Sequence, residues 1–67
     1  MEKRIENRLM QMTYDSSAQV RAAAATAFGE GGYKTYEITD RLLQLSDDSS
    51  AEVRSAAAIA LARIGKK

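Results

Sequence analysis

Sixty-seven residues make one small domain, and a chain of this size buries only about 60% of its unfolded surface, so its stability is marginal. It contains neither cysteine nor histidine, which excludes disulfides, thiolate metal sites and the commonest general base and metal ligand. Ten basic and nine acidic side chains leave a net charge of +1, which is no electrostatic footprint for nucleic acid.

The opening segment, Met1-Glu-Lys-Arg-Ile-Glu-Asn-Arg, is charged and lacks the apolar stretch of a secretory signal. The longest apolar run, Ala56–Ala62, is far short of a membrane span. The plain expectation is a soluble cytoplasmic protein with no membrane partner. Taken in chain order, Ile5, Leu9 and Met12 fall at helical spacing and predict a first helix over about residues 3–14. Asp15-Ser16-Ser17 then closes it and opens the next. Ser16 and Gln19 have the three-residue separation of a capping box, while Ser17 as the cap would make Ala18 the first helical residue. Both registers remain open.

Val20, Ala23, Ala24, Ala27 and Phe28 form the stripe of a second helix, about 17–29. Those alanines are expected to be buried, and Ala22 and Ala25 are equally compatible with either state. Gly29, Gly31 and Gly32 are expected to stop this helix. A connection carrying Tyr33 and Tyr36 leads to Ile38, Leu42 and Leu45, a third helix over about 35–46. Asp48-Ser49-Ser50 repeats the turn, with Ser49 and Glu52, or Ser50 alone, as the capping choices. Val53, Ala56, Ala57, Ala60, Leu61 and Ile64 complete a fourth helix over about 50–64. Gly65 ends it, and Lys66-Lys67 follow near its negative dipole end. Alanine-rich second helices let axes approach closely.

The halves are copies. Ile5–Gly32 set against Ile38–Gly65 without a gap gives 15 identities in 28 positions. The sequence therefore predicts an all-α fold of two antiparallel helical hairpins stacked as a short α-solenoid, with unit one at 1–32 and unit two at 33–65. Solenoids normally use three or more units with polar ends, and Ile38, Leu43, Ile59 and Ile64 do not make a polar end. Self-association is expected, a two-fold dimer being the commonest solution and head-to-tail stacking the other.

The motif Asp…Val-Arg-x-x-Ala-Ala occurs twice in phase. Unit two carries Leu42, Leu45, Asp48, Val53, Arg54, Ala57, Ala58, Ala60, Leu61 and Gly65. Unit one carries Leu9, Asp15, Val20, Arg21, Ala24, Ala25, Ala27, Phe28, Gly29 and Gly32. This pattern resembles HEAT-like repeats of the short type found in phycobilisome-lyase subunits and many scaffold proteins, over nearly the whole chain. The resemblance implies a hydrogen-bonded ladder of Asp15, Arg21, Asp48 and Arg54 between units. It departs from the family at Ala18 and Ala51, where proline is frequent. It departs again at Gly31, where Ile64 supplies the apolar residue in unit two; the second helix is therefore expected to end earlier than the fourth.

No catalytic constellation is present. Ser16, Ser17, Ser49 and Ser50 read as caps with no histidine to activate them, and Asp47-Asp48 reads as a solvated turn. No cofactor or metal is implied. The reading is a non-enzymatic protein–protein interaction module, with Tyr33, Tyr36, Leu43, Ile59 and Ile64 as candidate partner contacts. An accessory subunit of a bilin lyase or isomerase, as the resemblance allows, and a fragment or designed stack of a larger scaffold are the alternatives.

Overall fold

The computed structural model describes residues 2–66; Met1, from which unit one is counted, and Lys67, expected beside the last helix end, lie outside them. Four helices follow in order: α1 Lys3–Met12, α2 Ala18–Gly31, α3 Tyr36–Leu45 and α4 Ala51–Ile64. No strand occurs among the described residues. The chain is all-α, two helical hairpins stacked through α2 and α4, with α1 and α3 flanking them.

Local chemistry sets the ends. The last turn of α1 tightens through Tyr14 N–H to Gln11 and Asp15 N–H to Met12, a 3₁₀-type closure that ends the helix before the aspartate. The helix α2 does not stop at Gly29. It runs on to Gly31 and is closed by Gly32, which adopts φ +69°, a left-handed conformation that glycine reaches cheaply. Gly32 and Tyr33 donate their N–H groups back to Gly29 and Phe28. Both second helices therefore have 14 residues. The expected early end of α2 is not observed, because backbone bonding and the Gly32 cap, not the side chain at 31, decide where it stops.

Phe28, Ile38, Leu42, Leu45 and Val53 are fully buried, each worth about 1.5–3 kcal/mol of removed apolar surface. All come from α2, α3 and α4. The helix α1 repeats the apolar spacing of α3 yet contributes no buried residue; Leu9 and Met10 only pack against the core from outside. Its position at one end of the stack, with α2 as its main neighbour, is the reason.

Position in the stack also turns the buried face of α2. On α4 the buried residues are Val53, Ala57, Ala60 and Ile64, within the stripe expected from sequence. On α2 they are Ala22, Ala24, Ala25, Phe28 and Gly29, an arc rotated by about 100°, one residue of helix. Ala23, expected inside, is exposed, and Ala27 is half-buried. The extra burial of Ala22, Ala25 and Gly29 comes from α4 lying against them. A Cβ built on Gly29 would stand 2.7 Å from Ala60 Cα. That distance requires glycine where the two axes draw closest.

Candidate functional site

The polar chemistry of this chain gathers along the seam between its two hairpins. Asp48 accepts the N–H of Ser50 at 2.9 Å, which braces the turn before α4. The same carboxylate takes a bidentate guanidinium from Arg21 of the other hairpin, Nε at 3.2 Å and Nη2 at 3.1 Å. Both side chains are largely shielded from solvent. The Arg21 fork, helped by the Ser50 N–H, holds the Asp48 carboxyl below the ordinary aspartate range. The third nitrogen of Arg21 donates to the carbonyls of Asp15 and Ser16, closing its own turn.

The other members of the expected ladder stand differently. The Asp15 carboxylate braces Ser17 N–H at 2.8 Å and meets no arginine; Arg21 takes its backbone carbonyl instead. Arg54 is exposed and donates only to the Asp48 carbonyl, at 2.6 Å. Among the described residues one rung joins the hairpins, because a rung needs an arginine in one unit and an aspartate in the next. Of the two cap registers left open, the later one is occupied in both units. Ser17 caps α2 through Val20 N–H at 3.3 Å. Ser50 holds the cap position of α4 but its side chain makes no cap bond. Ser16 and Ser49 lie one residue too early and are exposed.

A second seam contact is invisible in the expected ladder. Arg41 on α3 reaches back to α1, donating to Thr13 Oγ1 at 2.9 Å and to the Thr13 carbonyl at 2.7 Å. Its guanidinium lies 3.5 Å from the centre of the Tyr14 ring, within cation–π range. Thr13 is completely buried by this clamp. Arg8 occupies the same place in unit one as Arg41 in unit two, and that identity in the duplicated sequence is the signal that points to it. A third contact joins Arg63 to Glu30 at 2.8 Å, exposed.

The 33-residue shift separates what a neighbouring unit covers from what it leaves bare. Thr13, Ala22, Ala25 and Gly29 are buried; their unit-two counterparts Ser46, Ser55, Ala58 and Ala62 are exposed. Met10 packs against the core, whereas Leu43 is 53% exposed. At the opposite end the inequality reverses. Ile38 is buried, while its counterpart Ile5 is 51% exposed beside a shallow depression that Glu2, Arg4, Arg8 and Leu9 also line. The outer faces of α4 and α1 are thus the two faces that no unit covers among the described residues.

The family model for HEAT repeats matches residues 5–67 of the chain. The chain belongs to the HEAT-repeat family. No curated protein and no solved structure matches it. HEAT repeats are commonly protein-interaction scaffolds, and the candidate contacts must be judged on this stack. Leu43 lies on the bare end. Ile59 is 56% exposed, but its counterpart Thr26 is exposed as well although a unit is stacked on that side, so Ile59 lies off the seam. Tyr36 projects into solvent at the start of α3, 90% exposed. Tyr33 is not free surface; it is half-buried against the core. Ile64 is not available either, being buried where the α4 stripe meets the rest of the stack. Among the described residues no helix is long and apolar enough to cross a membrane, and no cluster of acidic side chains could hold a metal ion.

Proposed function

We propose that this HEAT-repeat chain is a non-enzymatic protein-interaction module that works by self-association through its bare end faces. The observation that carries this reading is the contrast at equivalent positions: Ala25 is buried and Ala58 is exposed among the described residues. The outer face of unit two combines the small side chains of α4, Leu43 of α3 and the Arg54 fork, as the small side chains of α2, Met10 of α1 and the Arg21 fork meet unit two inside the chain. Tyr36 and Ile59 stand apart from that face and serve as secondary contacts in this reading.

Sedimentation of the 67-residue chain from micromolar to millimolar concentration tests it. Association is expected to rise with concentration, and Ala58→Arg, on the exposed face, is expected to return the chain to monomer with its helical circular dichroism unchanged. A monomer at every concentration overturns the reading.

A further inference from the structure

We infer that the two end faces recognise each other, so that copies of this chain stack head to tail, the outer face of α4 on one copy against α1 and α2 of the next. This inference rests on the self-association proposed above and specifies its geometry. Each polar contact of the internal seam, moved on by one repeat, names a pair of groups that stand opposite in such a joint.

The pairs are complementary in all three cases. Arg21 to Asp48 becomes Arg54 to Asp15 of the next copy. Arg54 already has the posture for it: one nitrogen is fixed on the Asp48 carbonyl, as the equivalent nitrogen of Arg21 is fixed on the Asp15 carbonyl. The remaining nitrogens of its fork have no carboxylate among the described residues. Asp15 is likewise braced like Asp48 by the N–H two residues on, and lacks only the arginine. The Arg41 clamp on Thr13 and Tyr14 becomes Arg8 on Ser46 and Asp47. Ser46 Oγ already donates to the Leu43 carbonyl at 2.6 Å, as Thr13 Oγ1 donates to the Met10 carbonyl at the same distance. Asp47 in place of Tyr14 turns a cation–π contact into an ion pair. The third pair, Glu30 with Arg63, repeats as Arg63 with Glu30 of the next copy. A two-fold joint through α4 would bring neither Asp15 to Arg54 nor Arg8 to Asp47, because Asp15 and Arg8 lie at the other end of the stack. Charge therefore favours the heterologous joint, which stays open and grows.

One position opposes a tight fit. Gly29, whose missing Cβ admits Ala60, is replaced at the joint by Ala62, which would press on Ala27 of the next copy. The joint is therefore looser than the internal seam, and Ala62→Gly should tighten it about tenfold by removing an overpacked methyl.

Arg8→Glu and Asp47→Arg provide the decisive test, since neither side chain makes a hydrogen bond or ion pair among the described residues. Alone, each variant sets like charges across the joint and should weaken association about tenfold. Mixed in equal amounts they restore opposite charges at every joint, and sedimentation velocity should return to the wild-type concentration dependence. Persistent wild-type-like association of each single variant, or failure of the mixture to recover, overturns the head-to-tail joint while leaving self-association standing. A wild-type chain that stays monomeric overturns both.

Discussion

Gly29→Ala is the sharpest probe of how the two hairpins are joined. The added Cβ would meet Ala60 Cα at 2.7 Å and Ala60 Cβ at 2.9 Å. Neither atom can swing aside, since one is helix backbone and the other is fixed to it. Restoring ordinary contact at about 3.4 Å means parting α2 from α4 by about 0.7 Å, which forfeits a quarter to a half of the dispersion energy of each contact along the seam. Overpacking of this kind costs up to about 3 kcal/mol, and the gain in helix propensity returns about 1 kcal/mol. The net expectation is about 2 kcal/mol of destabilisation. A chain of this length has about 3–10 kcal/mol in total, so the effect is large: a Tm lower by about 8–16 °C and a urea midpoint lower by about 1–2 M. The assay is urea and thermal unfolding followed by circular dichroism, with Ala62→Gly at the equivalent exposed position as the control. Measured below the association range, that control loses about 1 kcal/mol through helix propensity alone. A Gly29→Ala chain as stable as wild type would refute the argument that this contact sets the spacing of the helices.

Thr13→Val keeps the shape of a buried residue but removes the oxygen that Arg41 Nε binds at 2.9 Å; a loss of about 1–2 kcal/mol is expected in chemical unfolding. Ser17→Ala removes the α2 cap bond and should cost about 1 kcal/mol, whereas Ser50→Ala, where no cap bond exists, should be nearly neutral in the same assay. Amide hydrogen exchange should find α1 the fastest-exchanging helix, because it has no buried residue; equal protection in α1 and α3 would contradict this. Asp48 has a depressed folded-state pKa, so its contribution to stability is complete above the unfolded value of about 3.9 and is lost as pH falls through the lower folded value. Asp48→Asn should flatten the acid limb of the stability–pH curve relative to wild type.

How far the sequence could be read depended on where a residue sits in the stack. The α4 stripe was legible because α4 is an end helix with one buried side, the case that a single amphipathic period describes. The helix α2 was misread by one residue of rotation because it is covered by α4 as well, and polyalanine carries no contrast to reveal a second covered face. Sequence therefore places Ala23 inside and does not decide Ala25. Ile5, Leu9 and Met12 show the converse. Their spacing equals that of Ile38, Leu42 and Leu45, yet burial needs a neighbour, and periodicity does not say whether one exists. In the candidate site, Arg21 and Asp48 were legible through the family motif, but the motif does not encode the one-unit offset of a rung. Arg41 carried no motif at all. Only the pairing of Arg8 with Arg41 in the duplicated sequence, read together with the buried Thr13, exposes it.

The differences between the two copies have a physical direction. Where unit one meets unit two, the residues favour permanence: Gly29 for close approach, Tyr14 under Arg41, and Arg21 chelating Asp48. Where unit two faces outward, each of the first two is replaced by a group that suits a reversible contact, Ala62 for Gly29 and Asp47 for Tyr14. An exposed ion pair of the Arg8–Asp47 kind is worth at most about 1 kcal/mol and is screened by salt, while a buried seam of alanine, phenylalanine and glycine is not. The internal seam should therefore respond only weakly to ionic strength, through its exposed Arg63–Glu30 pair, and association between copies should weaken more steeply as salt rises. Thermal unfolding of dilute protein and sedimentation of concentrated protein, each run across a salt series, separate the two. A joint that strengthens with salt would mean that apolar contact, not the charged pairs, holds the copies together.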